Sequence, residues 1–307
     1  MIEKLNVLFY RKYNFFSGGH LKVYDYLGHV DTSRYYRSSI YVDPSSRADH
    51  LWLDLPGLVN RYEPSSADVL FLAGMDWRAL DAHPGIEERI PVINLIQGIR
   101  HSDPNLELYT FLTRKATRIC VSHEVAKAIL ETGLCNGPVH VIENGIDLSM
   151  LPEKPSQSGG VFISGLKQPA LALELADRLL RHAIPVECLV EPISRQLFLQ
   201  KISMAAVVVT LPNTIEGFYL TALEAMAVGT TLVCPDCIGN SGFCKDRVTC
   251  LMPDFHPDSL EMSVLELLGR PEMASGLRKA AFAQSRNHSI ERERSEFLGI
   301  LETIIKK

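Results

Sequence analysis

Two glutamates with seven residues between them, Glu216 and Glu224, stand in the stretch NTIEGFYLTALEAMAVGTTLVCPD, Asn213 to Asp236. A β-rich apolar run, AAVVVTL (Ala205 to Leu211), precedes them and Pro212 follows it. A polar turn then leads to Glu216 and Gly217, and the spacing predicts a helix to about Val228, closed by Gly229. Glu216 belongs to the turn at the helix start and Glu224 to the helix itself. The first backbone N–H groups of such a helix lack intrahelical partners and point outward with the positive end of the dipole. Gly217 lets a ligand approach the backbone closely. Together these features describe a site for phosphate groups.

Other residues of chemical interest follow in chain order. Ser17-Gly18-Gly19-His20 lies after a β-rich run and before a helical stretch. His101 comes just past VINLI in QGIRH, with Gln97 as its competitor for a place at the strand end. Lys167 stands in the short loop SGLKQP, and Arg195 after the next strand is a candidate second cation. Cys234-Pro-Asp-Cys237, with Cys244 and Cys250 beyond it, could be read as a zinc or redox site. Cys234 ends a buried strand and the later pair lacks tight spacing, so independent reduced thiols are the expectation. No G-x-G-x-x-G follows a strand, which argues against a nicotinamide-dependent oxidoreductase.

The elements that must position these residues read as strands and helices in alternation. Candidate strands are Leu5 to Tyr10, Ser38 to Val42, Val69 to Ala73, Val92 to Ile96, Arg118 to Val121 and Val139 to Ile142. They are continuous apolar runs, as strands buried on both faces require. A helix is expected over Ser122 to Thr132, with Ser122 as its cap and Glu124 in its first turn. LPEKPSQSGG (Leu151 to Gly160) has no apolar period and reads as a linker. The pattern restarts with strands Val161 to Gly165, Val186 to Val190, Ala205 to Leu211 and Thr230 to Cys234. The helix between the first two of these carries Leu173, Ala176, Leu180 and Ala183 on one stripe. The expected organisation is a first domain over residues 1–152, a second over 153–288, and a terminal helix over 289–307 packing back on the first. That helix is periodic in Ile290, Phe297, Leu301 and Ile304. The fold class is α/β, with two doubly wound, Rossmann-like domains whose strand ends face a central cleft.

The Glu-Gly-Phe, Leu, Glu-Ala-Met-Ala, Gly pattern in Glu216 to Gly229 closely resembles the donor-binding signature of family-four retaining GT-B glycosyltransferases. That resemblance implies a hexosyl-type transfer from a nucleotide sugar with retained configuration. It places Glu216 at the donor sugar, Gly217, Phe218, Tyr219 and Leu220 at the phosphates, and Glu224 at the ribose. Gly18 and Gly19 resemble the family's glycine loop, near the donor phosphates and the acceptor. His101 resembles a histidine that the family places near the reacting centre. Lys167 takes the place of one of two cations that neutralise the leaving diphosphate; the Arg that accompanies it in the family has no counterpart in this loop. VIENGID (Val141 to Asp147) resembles the element that positions the hinge. No metal or other cofactor is expected, because the family requires none and no Asp-x-Asp pair is present. The implied acceptor is a glycan, a lipid-linked molecule or a small molecule, in cell-surface polysaccharide or glycoconjugate synthesis. A non-catalytic nucleotide- or glycan-binding relative and a sugar-nucleotide epimerase remain as alternatives.

Composition bounds these readings. The chain has 307 residues, 46% apolar and 22% charged, which suits two packed domains. The formal charge of -5 argues against a general nucleic-acid binder, whose affinity comes from neutralising phosphates. The opening MIEKLNVLFYRK holds only a short apolar run before Arg11 and Lys12. A cytoplasmic protein is therefore expected; FYRKYNFFSGG (Phe9 to Gly19) reads either as a loop of ordinary solvated charges or as a face toward a lipid-linked acceptor, with peripheral contact at the inner membrane face.

Overall fold

The structure, a computed structural model, describes residues 4–153 and 159–305. The chain divides into two compact units, Met1–Asn144 with Glu291–Lys307, and Gly145–Ile290. The unit thus changes at Gly145, not at residue 152. Of the expected linker, residues 154–158 lie outside the described residues.

The first unit runs β1 (Leu5–Arg11), α1 (Gly18–Asp31), β2 (Tyr36–Val42), β3 (Val69–Ala73), β4 (Val92–Ile96), α2 (Glu107–Thr110), β5 (Thr117–Cys120), α3 (His123–Leu130) and β6 (Val139–Val141). All six strands are parallel, in the order β2-β1-β3-β4-β5-β6. Every residue of β3 and β4 is buried, the reason these strands read as unbroken apolar runs. Ser122 caps α3, its hydroxyl accepting from the Val125 N–H at 3.2 Å.

The second unit runs β7 (Val161–Ser164), α4 (Pro169–Arg181), β8 (Val186–Leu189), α5 (Arg195–Met204), β9 (Val207–Thr210), α6 (Leu220–Val228), β10 (Thr231–Val233), α7 (Pro257–Gly269) and α8 (Pro271–Ser285). Its parallel sheet is ordered β10-β9-β7-β8. Alternate residues feed two separate cores. Phe162, Val208 and Leu232 pack on one face with α6, while Val161, Ile163, Val207, Val209 and Val233 pack on the other with α4, α7 and α8. In both sheets the strand order reverses once, between β1 and β3 and between β7 and β9. Ligands of doubly wound sheets bind beyond the carboxyl ends of the strands at such a reversal.

One expected stripe is corrected. α4 buries Ala172, Leu175, Ala176 and Leu179, whereas Leu173 and Leu180 are half exposed at 50% and 54%. Ala183 lies past the helix, with φ at +56°. Both stripes have helical spacing, and packing against β7, β8 and α7 buries the one that runs through Ala172, Leu175, Ala176 and Leu179.

The helix α9 (Ile290–Ile305) belongs to the first unit from Glu291 onward. Phe297 is fully buried, edge-on to Tyr26 at 4.8 Å between ring centroids. Glu293, also fully buried, accepts from Lys22 Nζ at 2.7 Å and meets His29 Nε2 at 2.9 Å. Lys22 Nζ reaches Asp25 as well, at 2.8 Å. A carboxylate sealed in this way depends on its partners, and its partners on it. Glu293→Ala is therefore expected to destabilise the first unit by about 3–5 kcal/mol, the usual cost of stranding one member of a buried pair. Urea unfolding followed by circular dichroism measures it.

Candidate functional site

At the reversal in the second sheet, the loops after β7 and β9 come together. Glu216 Oε1 accepts three hydrogen bonds, from Lys167 Nζ at 2.6 Å and from the backbone N–H and side-chain amide of Asn213, each at 3.0 Å. The Lys167 ammonium also lies 5.0 Å from the centroid of the Tyr219 ring. Lys167 is 39% exposed, so this charge meets solvent while Glu216, at 14%, is largely enclosed.

The segment Cys237 to Asn240, beyond β10, braces this turn. The Glu216 N–H donates to the Cys237 carbonyl and the Tyr219 N–H to the Gly239 carbonyl, both at 3.0 Å. A Cβ on Gly239 would stand 2.6 Å from the Glu216 carbonyl oxygen, so only glycine lets the two backbones approach this closely. Asn240, fully buried, holds the brace, accepting from the Cys237 N–H and donating to the Pro235 carbonyl and the Cys234 sulfur. The available signal was Gly239-Asn240 just beyond a strand.

α6 opens at Leu220 with no side-chain cap and closes at Gly229, which has a φ of +80°. The Tyr219 N–H is committed to Gly239, and the Leu220 N–H donates to the Phe218 carbonyl at 3.2 Å. The N–H groups of Gly217 and Phe218 make no backbone hydrogen bond among the described residues. They and the first-turn groups of Thr221 and Ala222 are the donors left to an anion. The side chains of Phe218 and Leu220 pack against the apolar core, and that of Tyr219 is buried within it. Phe218 lies beside Phe243 at 5.2 Å. Of these three residues only the Phe218 N–H is left free to bind.

Glu224, 6% exposed, projects from α6 toward α5. Its Oε1 accepts from both Nε (3.2 Å) and Nη2 of Arg195, the first residue of α5. Lys167, Glu216, Gly217 and Glu224 thus lie along the carboxyl edge of one sheet, and each glutamate has a cation on its Oε1.

In the first unit, Gly18 and Gly19 open α1, whose cap Ser17 accepts from the His20 N–H at 3.3 Å. The Gly19 carbonyl accepts from Gln97 Nε2 at 3.0 Å, so Gln97 is the residue after β4 that meets the glycine loop. His101 does not reach it. It sits in a 3₁₀ turn with Nδ1 3.2 Å from the Gly98 carbonyl, and its Nε2 is sealed from solvent without a partner. In this conformation His101 offers no nitrogen to a substrate. At the reversal of this sheet Arg11 binds the buried Asp76 at 2.7 Å, the Ala73 carbonyl at 2.9 Å and His20 Nδ1 at 3.0 Å.

The Ile146 N–H donates to the His288 carbonyl and the Ile290 N–H to the Ile146 carbonyl, at 2.9 and 3.0 Å. A Cβ on Gly145 would stand 2.4 Å from the Ser289 carbonyl oxygen. All seven cysteines are free thiols; Cys234, Cys237, Cys244 and Cys250 are buried, and burial pushes the Cys237 thiol up. Among the described residues no group of three His, Cys, Asp or Glu is arranged to hold a metal ion.

The chain matches solved structures over nearly its full length. Anabaena HepE in complex with UDP superposes with a TM-score of 0.78 at 14% identity, covering 97% of this chain and 100% of that one. Sucrose-phosphate synthase from Thermosynechococcus elongatus gives 0.75 at 11% identity, covering 99% and 100%. This is the GT-B fold. Within GT-B proteins, the sequence is similar to D-inositol 3-phosphate glycosyltransferase of Corynebacterium urealyticum, 29% identical over 203 residues, 61% of this chain. The chain spans about half the length of that curated relative, the match covering 45% of it. No protein-family model matches the chain.

Two histidines of this GT-B chain carry a measurable consequence. Burial, with Arg11 beside it, lowers the His20 pKa to about 4. Burial also lowers that of His101 to about 4, against the pull of the Gly98 carbonyl and with help from Arg100 and Arg118. An unfolded imidazole takes up its proton near 6.5, one that the folded chain refuses until about 4. Stability is therefore expected to hold above pH 6.5, to fall through the window from 6.5 to about 4, and to lose no more from these groups below it. Denaturant unfolding in a pH series, with His101→Gln reducing the slope, checks this.

Proposed function

We propose that this protein is a retaining glycosyltransferase that moves a sugar from a nucleotide sugar to a hydroxyl acceptor. The observation that supports the reading is the arrangement of Glu216 and Glu224 along the carboxyl edge of the second sheet, with Lys167 between the sugar-side carboxylate and solvent. Departure of a nucleoside diphosphate leaves charge on phosphate oxygens and an oxocarbenium-like sugar. Donors already in place where that charge develops lower the barrier without reorganising. The free N–H groups at the opening of α6 and the Lys167 ammonium meet the phosphates, Glu216 orients sugar hydroxyls, and Glu224 accepts from the ribose. HepE, solved in complex with UDP and with UDP-glucose, shares the fold and supports a uridine nucleotide as the first donor to try. No metal takes part in this scheme.

A thermal-shift panel of nucleotide sugars identifies the donor, since a ligand that binds only the folded chain raises its apparent stability. With that donor, Glu224→Ala is expected to weaken nucleotide binding by roughly 10- to 100-fold, the worth of hydrogen bonds to a charged group. Glu216→Ala is expected chiefly to lower kcat, by about 100-fold. Calorimetry and product formation measure the two. Tight binding of the donor without transfer to any acceptor would favour a non-catalytic relative, and a changed sugar nucleotide without acceptor would favour an epimerase.

The acceptor in this reading is a glycan or a lipid-linked molecule, in cell-surface polysaccharide or glycoconjugate synthesis. The loop between β1 and α1 exposes Phe15 (66%) and Phe16 (48%), with Lys12 exposed beside them. Two aromatic rings and a cation on one loop suit an anionic lipid surface. Among the described residues no helix is long and apolar enough to cross a membrane, so contact would be peripheral. Sedimentation with phosphatidylglycerol vesicles is expected to carry the protein down, and a Phe15→Ser, Phe16→Ser variant to stay in the supernatant. Equal behaviour of the two removes membrane contact.

A further inference from the structure

By its place after β8, Arg195 is a candidate second cation for phosphate. Its guanidinium is instead committed to Glu224. Both Nε and Nη2 converge on the one oxygen Oε1, and no other partner meets this carboxylate among the described residues. The second oxygen, Oε2, accepts from no described residue, yet it is not among the buried atoms sealed without a partner, so it reaches solvent. The arrangement is built from behind. Ser194 caps α5, its hydroxyl accepting from the Leu197 N–H at 3.3 Å, which fixes Arg195 at the first helical position. α5 packs on α6, with Ile202 in the apolar cluster that holds Ala222, Leu223, Ala225 and Met226. A carboxylate with one oxygen held and the other open cannot turn to offer both, and an ionised oxygen only accepts.

The geometry points to Arg195 as a positioning residue that makes Glu224 a one-oxygen acceptor for a vicinal diol, and so selects ribonucleotides over 2′-deoxyribonucleotides. The inference rests on the nucleotide-binding reading of this site. Arg195 touches no ligand in it. Its work is to direct Oε2 at the diol, where the 2′- and 3′-hydroxyls both donate. A 2′-deoxy nucleotide lacks one of those donors. Without the guanidinium the carboxylate is free to rotate and to be hydrated, and the missing hydroxyl then costs less.

The experiment compares UDP, GDP and ADP with their 2′-deoxy forms by calorimetry on the full chain. The native protein is expected to prefer the ribo form of its nucleotide by roughly tenfold or more, the value of a hydrogen bond to a charged acceptor. In Arg195→Gln the preference is expected to shrink to about two- to threefold, with weaker binding of the ribo form. A general loss of packing would weaken both forms alike and leave their ratio unchanged. Arg195→Lys keeps the charge but not the fork of two donors, and its ratio is expected to fall between the two. It serves as the readout should Arg195→Gln fail to fold. An unchanged ratio in either folded variant overturns the proposal. If none of the six compounds binds the native protein, it is the nucleotide-site reading itself that fails, a result separate from the first.

Discussion

The backbone brace beneath Glu216, at the crossover between β7 and β9, fixes the turn on which that glutamate gathers its hydrogen bonds. Three donors meet one oxygen, and two of them come from Asn213 in the same turn. The third, Lys167, arrives from the loop after the neighbouring strand, so sheet order decides whether the pair can form. Because Lys167 is 39% exposed, solvent screens its attraction, and the ion pair by itself is worth no more than about 1 kcal/mol. The turn's shape is set elsewhere, by backbone bonds from Glu216 and Tyr219 to the segment Cys237 to Gly239. The charge then orients a side chain whose backbone is already in place.

The first unit repeats the device in a drier setting. At its own reversal, between β1 and β3, Arg11 binds Asp76 and the Ala73 carbonyl, and both side chains are nearly sealed. Burial pushes the Asp76 carboxyl up, and the guanidinium with two backbone N–H groups offsets only part of that. The same Arg11 donates to His20 in the first turn of α1, linking the glycine loop to the sheet edge. In each sheet, then, a cation–carboxylate pair sits where the winding changes direction and where no crossover helix covers the strand ends.

The residues differ in how far pattern alone could place them. Glu216, Gly217 and Glu224 were legible because strand, turn and helix are contiguous, and local rules govern each boundary. Gly229 at φ +80° and Ser122 at a helix start follow from the same local chemistry. α4 was not legible in its facing, since Leu173 and Leu180 keep helical period as well as Leu175 and Leu179 do. Nor was His101, whose loop position suggested a reachable ring. The 3₁₀ turn that holds it packs against α2 and α3, which follow it in the chain.

Taken alone, the order of residues determined the ten strands, their parallel connection and the strand–turn–helix pattern that opens α6, because buried strands and helix ends are specified by neighbours within a few positions. Tertiary structure decided which oxygen of each glutamate is held and by whom. Arg195 lies 29 residues from Glu224, Lys167 lies 49 from Glu216, and the Glu293 of α9 reaches back 264 to His29. Such pairings depend on sheet order and helix packing, which bring distant side chains within about 3 Å only once both cores have formed.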